Sequence, residues 1–252
     1  MLKIIKEVKM AEFHIKCEKE DVSPYMLLVG NPQRAEKMSK LLENPKLVNE
    51  YRHLYVFTGL YKGVRMTIAT TGMGAPSTAI VTEELANLGG RVFIRVGSAG
   101  GVDPKLNVGD VVIATASVRD DGTTPNYLRM SFPAVADFDV LKVMVEVGKE
   151  IKPNVSYGVV ISQDAFYVPY SDEEMKKFVK SGVKAVEMES GCVFIVSQYR
   201  GVKAGAVFAL DGNVTLKSVK PAGHEKLFDE AEDISIKIGL ESLYKLAKEE
   251  NT

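Results

Sequence analysis

The sequence predicts an α/β fold, a single domain with a central mixed, twisted β-sheet flanked by helices in three layers. Three observations carry that prediction. Short apolar runs alternate along the chain with longer amphipathic segments. The runs are apolar at consecutive positions, as in strands covered on both faces. Several stop at a glycine or an aspartate where a turn or helix begins, the rhythm of strand–turn–helix units.

Taken in order, Met26-Leu27-Leu28-Val29 reads as a strand ending at Gly30, with a helix starting at Pro32. Val64 to Ala69 is a second strand, followed by Gly72-Met73-Gly74 and a helix near Pro76 whose Val81, Leu85 and Leu88 share one face. Arg91 to Val96 reads as a strand stopping at Gly97, and Val111–Thr115, Val159–Ile161 and Ala204–Ala209 as further strands. The chain closes with a helix that gathers Ile236, Leu240, Leu243 and Ala247 on one side. No linker, repeat or low-complexity stretch divides it, so residues 13–252 are expected to form one domain behind an N-terminal extension, residues 1–12.

Composition narrows the function. Lysine plus arginine (32) nearly cancels aspartate plus glutamate (33), so no global field favours nucleic acid or an anionic membrane, and any anion site must be local. Cys17 and Cys192 have no paired-thiol spacing, and His14, His53 and His224 have no ligand spacing; neither a disulfide framework nor a metal site is expected. The segment from Met1 to Lys6 is too short and too lysine-rich for a signal peptide, and no run reaches transmembrane length, which points to a cytoplasmic protein.

In sheets of this kind ligands sit at the carboxyl ends of strands. Gly30, Gly97 and Asp211 fall there. Gly30-Asn31-Pro32-Gln33-Arg34 combines a tight turn with a guanidinium one turn into a helix, a pairing that suits phosphate. Arg95 lies inside an apolar strand and needs an anionic partner, either a protein carboxylate or a ligand, with Gly97 and Ser98 offering donors beside it. Glu187-Met188-Glu189, just before the apolar run Cys192–Val196, reads in two ways: acids at a helix start, or desolvated carboxylates that accept from the vicinal hydroxyls of a ribose. Asp211, before Gly212-Asn213, is either an Asx-turn residue or, if partly buried, a general acid. Gly72-Met73-Gly74 lacks the third glycine and the ribose-binding acid of a dinucleotide fingerprint, so NAD is rejected, and there is no Gly-Lys-Ser/Thr phosphate loop.

Three of these stretches, Gly30-Asn31-Pro32-Gln33-Arg34, Arg95-Val96-Gly97-Ser98-Ala99-Gly100 and Val186-Glu187-Met188-Glu189, resemble in order and spacing the hexameric nucleoside phosphorylases. The likeness runs from about Phe13 to the C-terminal helix, and the span from Asn107 to Phe138 is similar to uridine phosphorylases and related purine enzymes. The resemblance implies that Gly30, Arg34, Arg95 and Ser98 bind phosphate, while Arg52 reaches the phosphate of a neighbouring subunit. It implies that His14 approaches the ribose 5′-hydroxyl across the same interface, that Met188 and Glu189 hold the ribose, and that Phe166 stacks on the base with Tyr167 and Glu187 close by. Partners would be a nucleoside and inorganic phosphate as co-substrate, with no cofactor, in a trimer of dimers.

The residues around the base point in two directions. The uridine enzymes read uracil with a glutamine and an arginine shortly after the phenylalanine, and Tyr167-Val168-Pro169-Tyr170-Ser171-Asp172 has neither. Asp211 stands where purine enzymes carry an aspartate that assists the leaving base, although the arginine that helps it in some of them is replaced by Lys217, Lys220 or His224 nearby. The expectation is therefore a purine nucleoside phosphorylase, with uridine phosphorylase as the alternative. A nucleosidase, which uses water and generally lacks the arginine set, and a non-catalytic nucleoside binder are the remaining readings.

Overall fold

The computed structural model describes residues 11–216 and 223–250. Most of the proposed N-terminal extension, together with Lys217 and Lys220, lies outside these described residues.

The strands β1 (Tyr25–Val29), β4 (Val64–Thr70), β5 (Val92–Gly101) and β10 (Lys203–Asn213) form the parallel heart of a ten-stranded mixed sheet. The hairpin strands β2 (Glu43–Asn49) and β3 (Val56–Tyr61) extend it antiparallel from β4. On the other side β10 pairs with β6 (Val111–Asp120), β6 with β8 (Ser156–Gln163), β8 with β9 (Ala185–Glu187), and β9 returns to the far end of β5. Because β5 also pairs with β10, these five strands close on themselves. The two-residue strand β7 (Ala134–Val135) pairs with β6.

Strand alternation sends side chains to two cores. Leu27, Ile94 and Val207 pack under α6 (His224–Glu249) and α3 (Phe138–Ile151). Met26, Leu28, Phe93 and Phe208 pack with Val81 and Leu85 of α2 (Ala75–Asn87) and with Val193, Phe194 and Ile195 of α5 (Ser190–Arg200). All five residues of β1 are buried, which explains its uninterrupted apolar run. The expected three-layer α/β architecture is present, with helices on both faces.

Two expectations are revised. The strand beginning at Val92 does not stop at Gly97 but runs to Gly101, its last residues turning to meet Val186 and Ala185 on β9. Four strands, β2, β3, β7 and β9, gave no clear apolar run; β2 is exposed over most of its length, and β7 and β9 have two and three residues. Backbone pairing with a neighbouring strand supports all four, and β3, β7 and β9 each also bury a small apolar side chain, Val56, Ala134 and Ala185, too short a signal to read as a run.

Candidate active site

The centre of the site is Arg95, contributed by the middle of β5 and 3% exposed. Its Nε donates to Glu187 Oε2 at 3.1 Å, and its Nη2 donates to Glu189 Oε2. The guanidinium lies 5.7 Å from the Phe208 ring centroid. Nη1 is buried and has no hydrogen-bond partner among the described residues. Gly97 permits this arrangement, since a Cβ there would come within 3.1 Å of Arg95 Nη2 and 3.0 Å of the Phe208 ring. Burial opposes the charge on Arg95, but Glu189 and Glu187 more than offset it, so its pKa rises.

Glu187 ends β9 and Glu189 caps the approach to α5. The Glu187 carboxylate accepts from the backbone N–H of Glu189 at 2.9 Å, from the Ser190 N–H at 2.9 Å and from the Ser190 hydroxyl at 2.6 Å, besides Arg95. Helix-start geometry and buried-site geometry are thus the same feature: the acid satisfies the first N–H groups of α5 and holds Arg95 at once. Glu189 accepts from the Gly74 N–H at 2.7 Å through Oε1. Gly74 takes φ +84°, a conformation open to glycine, at the start of α2. The Gly72-Met73-Gly74 turn, rejected as a dinucleotide loop, therefore serves the carboxylate. Burial, assisted by Glu187, holds the Glu189 pKa above the ordinary carboxylate value despite Arg95.

Arg34 enters from α1 (Pro32–Ser39), whose cap residue Asn31 accepts from the Arg34 N–H at 2.7 Å. Its side chain is 6% exposed; Nε donates to Glu232 Oε1 at 2.7 Å and Nη1 to the Val96 carbonyl at 3.4 Å, next to Arg95 on β5. Glu232 sits on α6, seven residues before Gly239. A Cβ at Gly239 would meet Val96 at 2.9 Å and Leu27 at 3.0 Å, so the helix lies against β1 and β5 at that point and Glu232 reaches Arg34 two turns earlier. Gly30 follows β1, with the Gly72 carbonyl beside it, and Ser98 is exposed on β5.

The structure gathers Arg34, Arg95, Glu187, Met188, Glu189, Gly30 and Ser98 around the strand ends. Met188 is half-buried between its two acids. Glu187, expected beside the base, is instead engaged entirely inside the protein: its acceptor positions are filled by Arg95, Glu189 and Ser190. Asp211, whose acid role required partial burial, is exposed at the end of β10.

Other predicted residues lie at the periphery. Phe166 and Tyr167 are 68% and 92% exposed, their rings 5.0 Å apart edge to face. Arg52 belongs to the one-turn segment Tyr51–His53, has φ +57° and stacks over Tyr51 at 5.6 Å. His14 is fastened to α2, its Nδ1 2.6 Å from Glu84 Oε1. His224 opens α6 and faces Glu225 at 3.5 Å. Sequence reasoning missed Gly74, Ser190 and Glu232. Gly74 lay in a glycine turn weighed only for a dinucleotide, and nothing local connected Glu232, an acid on the amphipathic C-terminal helix, to Arg34. Among the described residues no cluster of ligating side chains could hold a metal, and no helix is long and apolar enough to cross a membrane.

These features define a class, a three-layer α/β protein with a buried guanidinium–dicarboxylate cluster at the carboxyl ends of its parallel strands. The comparisons resolve the family. The Phosphorylase superfamily profile matches residues 24–242. The uridine phosphorylase of Thermococcus kodakarensis is 34% identical over 85% of this chain and 82% of its own length. The guanosine phosphorylase of Halorubrum lacusprofundi is 33% identical over 87% and 91%. The crystal structure of uridine phosphorylase from Vibrio fischeri superposes with a TM-score of 0.85 at 32% identity, covering 95% of this chain and 99% of that one. The chain belongs to the phosphorylase superfamily and is a nucleoside phosphorylase.

Proposed function

We propose that this protein cleaves uridine with inorganic phosphate, yielding uracil and ribose 1-phosphate. The relatives support uridine over the purine preference expected from the sequence, since uridine phosphorylases outnumber the guanosine enzyme among them. A second reading, guanosine, is favoured by the guanosine phosphorylase of Halorubrum lacusprofundi among the relatives and by the stretch Tyr167–Asp172, which has neither the glutamine nor the arginine of the uracil readers.

The observation that carries phosphorolysis is the buried Nη1 of Arg95, without a partner among the described residues, beside an ion pair with Glu189. A buried N–H without a partner is costly, and a phosphate oxygen would satisfy it. In this reading the Arg95–Glu189 pair substitutes for both ligands. Phosphate draws the guanidinium, with Arg34 and Ser98 adding donors, and Glu189 turns its carboxylate to the ribose hydroxyls. Phosphate then waits below C1′ while the glycosidic bond lengthens toward an oxocarbenium-like sugar, and fixed charges supply most of the acceleration. Phe166 stacks on the departing base. Arg52 and His14 complete the site from a second copy, which makes a dimer the smallest competent unit and fits a trimer of dimers.

The test is a panel of uridine, guanosine, inosine and adenosine, each with and without phosphate. Base released from uridine only when phosphate is present supports the proposal. Release without phosphate identifies a nucleosidase, and no release identifies a binding protein. Faster turnover of guanosine than uridine, with loss of that turnover in Asp211→Asn, establishes the second reading.

A further inference from the structure

One polar group beside Phe166, the residue proposed to stack on the base, has no role in the proposed reaction. Gln163 is the last residue of β8, register partner of Asp120 on β6. It shares a strand face with Ile161, which packs in the cluster beneath α4 (Asp172–Lys180). There Gln163 forms part of the wall of a cavity of about 520 Å³, together with Phe166, Val186 and Thr215. It is half-buried, and its carboxamide makes no hydrogen bond to any described residue.

The two hydroxyls that share the lining are committed elsewhere. The Tyr170 hydroxyl donates to Asp120 at 2.6 Å, and the Thr215 hydroxyl donates to Asn213 Oδ1 at 2.6 Å. Lys176 and Lys180 are exposed at the rim on α4. Among the described residues of the lining, Gln163 is the one carboxamide. A carboxamide presents a donor and an acceptor side by side in one plane. Its complement is a ring carbonyl adjacent to a ring N–H, an edge that uracil offers at O4 and N3 and guanine at O6 and N1.

We propose that Gln163 is the specificity-determining residue of this enzyme, reading the oxo–N–H edge common to uracil and guanine from the sheet wall of the cavity while Phe166 covers the face of the ring. This rests on the phosphorylase reading and names its substrate class: nucleosides of 4-oxopyrimidines and 6-oxopurines. The amide comes from the strand before the phenylalanine, which accounts for its absence from the segment after it.

The experiment compares kcat/KM for uridine with the riboside of pyrimidin-2-one, and for guanosine with unsubstituted purine riboside; the second member of each pair lacks both the oxo group and the adjacent N–H. Gln163→Met keeps the side-chain length and removes both hydrogen-bonding groups. The oxo substrate is expected to lose about tenfold or more, chiefly through KM, and the comparator less than about twofold, so the ratio within a pair collapses by roughly tenfold. Gln163→Glu retains an acceptor and loses the donor, and should lower the same ratio. Incomplete folding of a variant scales both members of a pair and leaves the ratio unchanged. A ratio equal to that of the wild type in both variants overturns the assignment. No phosphate-dependent release from any of the four by the wild type removes the phosphorylase reading, and this proposal with it.

Discussion

Two parts of the molecule are built to opposite rules. Around Arg95 every contact is inside the chain: a guanidinium that is 3% exposed is held between Glu187 and Glu189, which are themselves fixed by Ser190 and Gly74. At the rim, Phe13, Tyr51, Phe166 and Tyr167 stand between 48% and 92% exposed, with Arg52 on a left-handed backbone among them. The first region is preorganised by the fold. The second carries aromatic and cationic groups that a single chain leaves uncovered, and under the proposed function a second copy and a substrate would supply the missing contacts there.

Breaking the interior should have the largest effect. Arg95→Met leaves two carboxylates buried without their cation, and we expect a loss of about 3–5 kcal/mol in stability, measured by denaturant unfolding. Phosphate-dependent base release should fall by about a hundredfold to a thousandfold, as for removal of a transition-state donor. Near-wild-type values on both would show that the cluster neither holds the fold nor binds the anion.

Glu189 tests the same region through pH. Its pKa is raised from 4.5, so the folded state holds the proton more tightly than the unfolded chain. The associated stability is present below that ordinary value and is lost as pH rises through the raised one. Activity should run the other way, because the ribose hydroxyls require the carboxylate anion. The acid limb of kcat/KM should therefore lie above the usual glutamate range, and Glu189→Gln should lower activity by about a hundredfold and flatten that limb. An unchanged limb in the variant would assign it to another group.

The rim should respond differently. Arg52→Ala is expected to change stability by less than about 1 kcal/mol, since its visible contact is an exposed stacking on Tyr51. Its phosphate KM should rise by about tenfold if the guanidinium serves a neighbouring subunit. An unchanged KM would confine the anion site to one chain.

The support between the two regions gives a further test. Glu232, bonded to Arg34 and Lys37, has a pKa below 4.5 because those cations outweigh its burial. A depressed folded value means the stabilisation is present above 4.5 and is lost as pH falls through that lower value. Glu232→Gln should cost roughly 1–2 kcal/mol near neutral pH, and the difference from wild type should vanish in acid. A constant difference across that range would show that packing, not charge, is what the residue contributes.

The sequence by itself determined the layers and the chemistry of the centre. Runs such as Met26–Val29 and Ala204–Ala209 could only be satisfied by burial on both faces, and an arginine inside Val92–Val96 required an anion wherever the chain placed it. What it could not determine is pairing over distance. That Arg95 takes Glu187 and Glu189, 92 and 94 positions later, and that Arg34 takes Glu232, 198 positions later, follows from the sheet closing on itself and from α6 lying against β5. The exposure of Asp211 and the internal engagement of Glu187 have the same origin. Local residues set which groups must be satisfied, but the partner that satisfies each one is chosen by whichever distant element the packing brings within hydrogen-bond reach.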